Sequence, residues 1–438
     1  MENFRETGKE KRMGENILEK VKQLETLFGK YEITGRELMQ VRTLAKKIEK
    51  QEMTVSVIGQ FKRGKSTLVN GILGDKVMPV GIVPVTAVVT TVKYGEERTA
   101  RVHFENGAVV TCSFDEIGGY INEQENQDNR LGVSRVELSV PADFLKTGIT
   151  LVDTPGVGSV HQKNSDAAYA FVKESDAVIF LLSVDSPINQ IEIEFLEKTR
   201  AFASKFYFAV NKADIVDEED LEAYLSYCRR LIAKLMEVDE IQLFAVSARK
   251  QTGLTELEEA VARDCRQKAA DIIQASVRLK LRDIVQSALH QITLYRTALS
   301  MTGEEFEEKF GKMNQTFQEV QEEAAAFGQE FAGNGAMLQA QLNQFKNQLS
   351  DKVQQLFGIE YHYDLPEVEM DETAVGSGLD QAVFLRQTDQ LCEELSRTLN
   401  TIFMYREENA YTVVRRINDL NRLVRSLARM RSELAAEE

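Results

Sequence analysis

The eight residues Gly59-Gln60-Phe61-Lys62-Arg63-Gly64-Lys65-Ser66 place two glycines, a lysine and a hydroxyl at the spacing a backbone needs to wrap a chain of phosphates. Glycines let the chain curl until successive N–H groups point inward, and a helix opening at Thr67 adds the positive end of its dipole. Lys65 then reaches the terminal phosphates and Ser66 offers its hydroxyl to magnesium. Gly59 through Thr67, including Gln60, Phe61, Lys62, Arg63 and Gly64, are therefore candidate phosphate contacts. Leu151-Val152-Asp153-Thr154-Pro155-Gly156 adds a carboxylate, Asp153, suited to the magnesium shell, and a glycine, Gly156, whose N–H can sense a third phosphate. Further on, Asn211-Lys212-Ala213-Asp214 supplies a carboxylate that accepts two hydrogen bonds from guanine N1–H and its 2-amino group. Adenine lacks both donors, so the pattern selects guanine. Ser247-Ala248 completes the base pocket.

These residues need a scaffold that brings four distant loops together. Short apolar runs precede each of them: Thr54–Ile58, Ile149–Val152, Phe206–Val210 and Gln242–Val246, with a further run at Ala177–Leu182. Continuous apolar strands alternating with helix-length stretches predict a mostly parallel sheet with helices on both faces. Residues 98–104 and 108–113 flank Asn106-Gly107 and predict a side hairpin. Proline marks the limits of this α/β region, since five of six prolines fall between residues 52 and 262.

The flanks change period. Ile17, Val21, Leu24 and Phe28, then Leu38, Val41, Ala45 and Ile48, recur every three or four residues, as do Phe306, Phe310, Met313, Phe317, Val320, Ala324, Phe327 and Phe331. The aromatic row reads as a seam between helices, because charged residues fill the other faces. Residues 379–438 contain neither glycine nor proline and predict one very long helix, up to roughly 90 Å if unbroken. Breaks are expected at Gly333-Asn334-Gly335 and in the acidic loop from Gly358 to Gly378. The expected organisation is N-terminal helices over 1–50, an α/β domain over 51–262, and an elongated helical bundle over 263–438 joined by the N-terminal segment.

The formal charge of −16, from 53 basic and 69 acidic residues, argues against a nucleic-acid binder, which needs a net basic surface. Four scattered cysteines and four scattered histidines give neither a disulfide framework nor zinc-ligand spacing. No apolar stretch follows a basic start, and the longest apolar run is far short of a bilayer span. The expectation is a cytoplasmic protein.

With its Met78-Pro79-Val80-Gly81-Ile82-Val83-Pro84-Val85-Thr86 segment and a spacing of 67 residues from Thr86 to Asp153, the chain resembles the dynamin-family large GTPases, in particular the bacterial dynamin-like kind. Asp176–Leu182 and Asp185-Ser186-Pro187 are similar to that family as well. The resemblance covers residues 53 to about 262 and over the flanks is architectural only. It implies a P-loop GTPase domain that takes GTP as substrate with Mg2+, held by Ser66, Thr86 and Asp153, with Thr86 also meeting the attacking water. It further implies that nucleotide-dependent dimerisation of GTPase domains drives a helical stalk, and through it membrane remodelling by fusion, fission or scaffolding, peripheral at the membrane.

Two departures bear on catalysis. Val157 stands where Ras-like GTPases carry glutamine, and Phe61-Lys62 stand where dynamins carry a Gln-Ser pair that helps hold a monovalent cation. Atlastins and guanylate-binding proteins have an arginine finger at the position of Lys62, so Lys62, or secondarily Arg63, is the candidate source of transition-state charge, with Lys65 and Thr86 as the other catalytic candidates. A third departure bears on the membrane. Residues 301–380 hold 16 acidic against 4 basic side chains, a surface that repels anionic lipid. The candidate lipid contacts are the turn at Ala332–Ala336 and the arginines Arg415, Arg416, Arg422, Arg425, Arg429 and Arg431, for which packing against the acidic helices is the plainer expectation. The alternative function is therefore a GTPase that engages a second dynamin-like protein without inserting into lipid itself.

Overall fold

The computed structural model describes residues 17–80, 88–104, 106–122, 125–126, 129–156, 171–330, 335–361, 363 and 378–436. Two compact units emerge: one formed by Thr43–Lys280 with the described residues up to Glu19, the other by Lys20–Arg42 with Leu281–Glu438. Three helices run through the boundaries in sequence: α1 (residues 17–28), α2 (Gly35–Lys50) and α6 (Leu254–Ser300).

The first unit is built on a nine-stranded mixed sheet, ordered β4-β3-β5-β2-β6-β1-β7-β8-β9. Its strands are β1 (Met53–Ile58), β2 (Thr90–Tyr94), β3 (Thr99–Phe104), β4 (Val109–Cys112), β5 (Val133–Val140), β6 (Ile149–Asp153), β7 (Ala177–Ser183), β8 (Lys205–Asn211) and β9 (Leu243–Ala245). From β6 through β1, β7 and β8 to β9 every pairing is parallel. Apolar runs make this possible: all seven residues of β7 are buried, as a strand covered on both faces requires. Helices α4 (Gln190–Thr199) and α5 (Glu218–Met236) supply Phe195, Leu196, Leu225 and Ile232 to the core around Val178, Phe180, Phe208 and Val210.

The expected strands all form, and the Asn106-Gly107 hairpin is β3-β4, with Gly107 at a φ of 85°. The sequence reading had no strand for β2 or β5. Both carry polar residues at alternate positions, such as Thr91, Lys93, Arg135 and Glu137, because one face of this half of the sheet remains accessible. β2 also reverses the parallel rule, running antiparallel to β6.

A buried ionic knot lies at the amino end of β7. Asp176 accepts the Thr54 N–H at 2.9 Å and faces Lys47 of α2 at 2.9 Å and Lys280 of α6 at 3.5 Å. Lys280 also donates to Ser175 O at 2.8 Å and to Ser276 Oγ at 2.6 Å. Burial, reinforced by the nearby Lys47 charge, pushes the Lys280 ammonium down to about 7 despite Asp176. Helix α6 is tied to β8 and the residue before it as well, through Tyr207 Oη to Asp264 at 2.9 Å and Ser204 Oγ to Ile272 O at 2.8 Å.

The second unit is helical: the adjoining parts of α1, α2 and α6 with α7 (Gly303–Glu330), α8 (Gly335–Phe357), α9 (Gly378–Arg406) and α10 (Ala410–Ala435). The aromatic row is an interior seam. Phe306, Met313, Phe317, Val320 and Ala324 are buried, Phe310 stacks on Phe306 and Phe403, and Phe327 meets Phe384. Phe331 and most of the turn at 331–336 lie outside the described residues, apart from the helix start at Gly335. The single long helix expected over 379–438 is two. Asn409 ends the run by capping α10, its side chain accepting the Thr412 N–H at 2.9 Å, so a good N-cap breaks a helix that contains no glycine or proline. Of the arginines, Arg416 is bidentate to Glu408, Arg429 meets Glu433, which also binds Lys20 at 3.1 Å, and Arg431 donates to Gln286 Oε1 at 3.2 Å. Among the described residues no helix is long and apolar enough to cross a membrane.

Candidate nucleotide site

All four loops singled out in the sequence leave the carboxyl ends of strands: the glycine-rich loop after β1, Asp153 at the end of β6, Asn211 at the end of β8, and Ser247 after β9. Ligands of open α/β sheets bind at this edge.

The glycine-rich loop turns into α3 (Lys65–Leu73) through Gly64, at a φ of 93°. A β-carbon there would also come within 2.5 Å of Asn211 Nδ2, so geometry and space both demand glycine. Lys65 is buried and its ammonium donates to Gly59 O at 3.0 Å and Gln60 O at 3.3 Å. Burial pushes it down to about 8, although Asp153 and Glu192 pull the other way. Ser66 Oγ donates to Asp153 Oδ2 at 2.6 Å. Two hard oxygen donors thus meet at a strand end, which is the donor chemistry magnesium prefers. Behind them Gly156 lies against the loop: a β-carbon would come within 2.8 Å of Phe61 Cα and 3.1 Å of Lys65 Nζ. Thr86 lies outside the described residues, as does Val157.

The base end is equally ordered. Lys212 adopts a left-handed conformation, with a φ of 60°, and turns the chain so that Asp214 meets the β9 loop. Ser247 Oγ donates to Asp214 Oδ1 at 2.6 Å and Lys250 lies 3.3 Å from its other oxygen. The Ser247 hydrogen bond, with help from Lys250, holds the Asp214 carboxyl below its usual range, so it stays an acceptor. Asn211 ties both ends together. Its Nδ2 donates to Arg63 O at 2.8 Å, and its Oδ1 accepts the Ala248 N–H at 2.9 Å.

The two basic residues of the loop part company. Lys62, at a φ of 66°, is exposed at the crest with its ammonium 5.3 Å from the Phe61 ring centroid. Arg63 is 2% exposed and turned inward, bidentate to Glu192 at 2.8 and 2.7 Å. Its side chain is turned into the domain, away from the outward position that a secondary source of transition-state charge needs. Glu192, Asn189 and Asp185 are site residues that the motif reading did not assign a role. The capping pattern Asn189-x-x-Glu192 was visible, but nothing in it pointed at the loop 129 residues earlier.

Residues 55–214 match the dynamin family. An uncharacterised protein encoded in the xynA 3' region of Caldicellulosiruptor sp. (strain Rt8B.4) is 38% identical over 225 residues, 51% of this chain and 56% of that protein. The bacterial dynamin-like protein of Nostoc punctiforme (strain ATCC 29133 / PCC 73102) is 26% identical over 203 residues, 43% of this chain and 29% of that one. A chain in the solved structure of an oligomerised bacterial dynamin pair is 17% identical, with a TM-score of 0.43 over 96% of this chain and 80% of that one. This chain thus spans about half the length, or less, of these curated relatives. The loops gathered at one sheet edge and the family match fall on the same residues: over 55–214 this chain is similar to the dynamin family.

Proposed function

We propose that the chain binds GTP with magnesium and hydrolyses it, and that the nucleotide state governs association of the domain with a second copy or with a second dynamin-like protein. The observation that carries this reading is Asn211, which holds the phosphate loop through Arg63 O and the base loop through Ala248 N. One side chain thereby sets the distance between the phosphate cradle and the guanine acceptor Asp214.

Each residue then has a task. The N–H groups from Gly59 to Thr67 and the Lys65 ammonium hold the phosphates, while Gly156 lies close enough to the loop for its N–H to report the terminal one. Ser66 and Asp153 would hold magnesium, which neutralises charge on the phosphates when bound. Asp214, oriented by Ser247, reads guanine. Lys62 is the basic side chain of the loop left facing outward, and it is the residue we assign to transition-state charge when two domains meet. Thr86 keeps its proposed part in orienting the attacking water.

Of the two expected modes of action, the interaction reading is favoured over direct lipid insertion. The aromatic row on α7 is taken up by packing between helices, with Phe306, Met313 and Phe317 buried and Phe310 stacked on Phe306 and Phe403, so it offers no apolar face to lipid. Membrane remodelling would then be exerted with a partner. Calorimetric titration of the chain with GTP, GDP and ATP in magnesium tests the core of the proposal, with GTP and GDP binding and ATP failing to compete. Equal uptake of ATP would overturn it. GTP turnover per molecule should rise with protein concentration, and a partner-free chain should not pellet with vesicles.

A further inference from the structure

Arg63 makes contacts that no phosphate-loop pattern requires. Nε and Nη2 engage both oxygens of Glu192. Nη1 donates to Ser183 Oγ at 3.1 Å and Ser186 O at 2.8 Å and lies 3.3 Å from Ser183 O, and Nη2 reaches Pro187 O at 3.2 Å. The guanidinium is thus saturated by the segment between β7 and α4, with 2% and 0% of the two charged side chains exposed. The same segment grips the loop a second time. Asn189, which caps α4 by accepting the Glu192 N–H, donates to Gln60 Oε1 at 2.9 Å. It also reaches the base end, where Asp185, bonded by Ser183 Oγ, pairs with Lys212 at 2.6 Å. Tyr224 of α5 pins it from behind through Ser186 O at 3.1 Å.

We propose that residues 183–192 form a strut that sets the curvature of the phosphate loop, with Arg63 and Glu192 as positioning residues for nucleotide binding. The inference rests on the nucleotide reading of the loop. A cradle works only if its N–H groups converge before the ligand arrives. This loop includes Lys62 in a left-handed conformation that a lysine adopts at a cost, so something must hold it. Arg63, the next residue, is anchored at both charge and backbone. The anchor does two separable things: it neutralises a buried carboxylate, and it fastens the loop to three carbonyls.

That separation gives the test, made on the full chain with fluorescent GTP and GDP, thermal denaturation, and steady-state kcat and KM. Arg63→Met should lower the melting temperature, because Glu192 is left buried and unpaired, and should weaken GTP and GDP equally, by on the order of tenfold or more. The double variant Arg63→Met with Glu192→Met removes both charges and should recover much of the melting temperature while nucleotide affinity stays low, since the tethers to Ser183, Ser186 and Pro187 are still missing. Selectivity for GTP over ATP should survive in both. Wild-type affinity in the double variant would mean the pair serves stability alone and would overturn the proposal. So would a loss confined to kcat with GTP and GDP affinity intact, which would make Arg63 a group acting on the reacting phosphate. Failure of the wild-type chain to bind GTP would sink the nucleotide reading and this inference together, whereas wild-type binding with unimpaired Arg63→Met sinks the inference alone.

Discussion

Replacing Lys280 with methionine should make the stability difference between wild type and variant depend on pH with a definite sign. In the folded chain the Lys280 ammonium sits against Asp176 and Lys47, with Glu174 nearby, and burial brings it from 10.5 down to about 7. In the unfolded chain it titrates as an ordinary lysine. Between those values the unfolded chain holds a proton that the folded chain has released, so the stability of the wild type relative to the variant rises with pH across that window. Below about pH 7 both states are protonated and the full cost of burying the ammonium is present. A depression of this size corresponds to a change on the order of a few kcal/mol over the window. Methionine fills the space without a charge but cannot donate to Ser175 O or Ser276 Oγ, each bond contributing about 1 kcal/mol. The difference at any single pH therefore mixes charge, packing and hydrogen bonding, while its slope isolates the charge. Thermal or urea denaturation of both full-length chains in steps from about pH 6.5 to about pH 9.5 measures that slope, with titrating groups distant from the knot cancelling between the two. A flat difference, or one in which the wild type loses ground as pH rises, would refute the account of the knot.

Three further outcomes follow from the site. Lys62→Ala should slow turnover far more than it weakens GTP binding, because the side chain is exposed at the loop crest; equal loss in kcat and affinity would remove it from catalysis. Ser247→Ala should weaken guanine nucleotides by about tenfold while leaving the feeble binding of ATP unchanged, since it frees Asp214 from the hydroxyl that aims it; competition titrations decide, and a parallel loss for both bases would contradict the role. GTP affinity should fall as pH rises above about 8, where the empty site holds Lys65 neutral and binding a triphosphate must take up a proton. Calorimetry in buffers of different ionisation enthalpy reads that proton directly, and pH-independent binding with no proton uptake would refute it.

Local order carried much of the site into view early. A glycine-rich loop is legible because its function lies in consecutive backbone groups, so Gly59 to Ser66 states its chemistry within eight residues. Asp153, Asn211, Asp214 and Ser247 were legible for a related reason: each follows a buried apolar strand, and a parallel sheet places such positions on one edge whatever the intervening sequence. Roles carried by a side chain reaching across the fold were not. Lys62 and Arg63 are adjacent and equally charged, yet one is exposed and the other saturated by a segment 120 to 129 residues away. Likewise the alternating pattern of β2 and β5 was too polar to announce strands until their neighbours covered one face.

From its residues alone, then, this chain determined that a glycine-rich loop and the carboxylates Asp153 and Asp214 stand at or just after the ends of strands, and that the described flanks are helical. These properties depend on backbone periodicity and short-range spacing, which are written consecutively. Tertiary structure alone decided which basic residue faces outward, that Asn409 divides the last helix, and that Asp176 is shared by two lysines from distant helices. Burial and long-range pairing decide the state of a charge, and neither exists until the chain has folded around it.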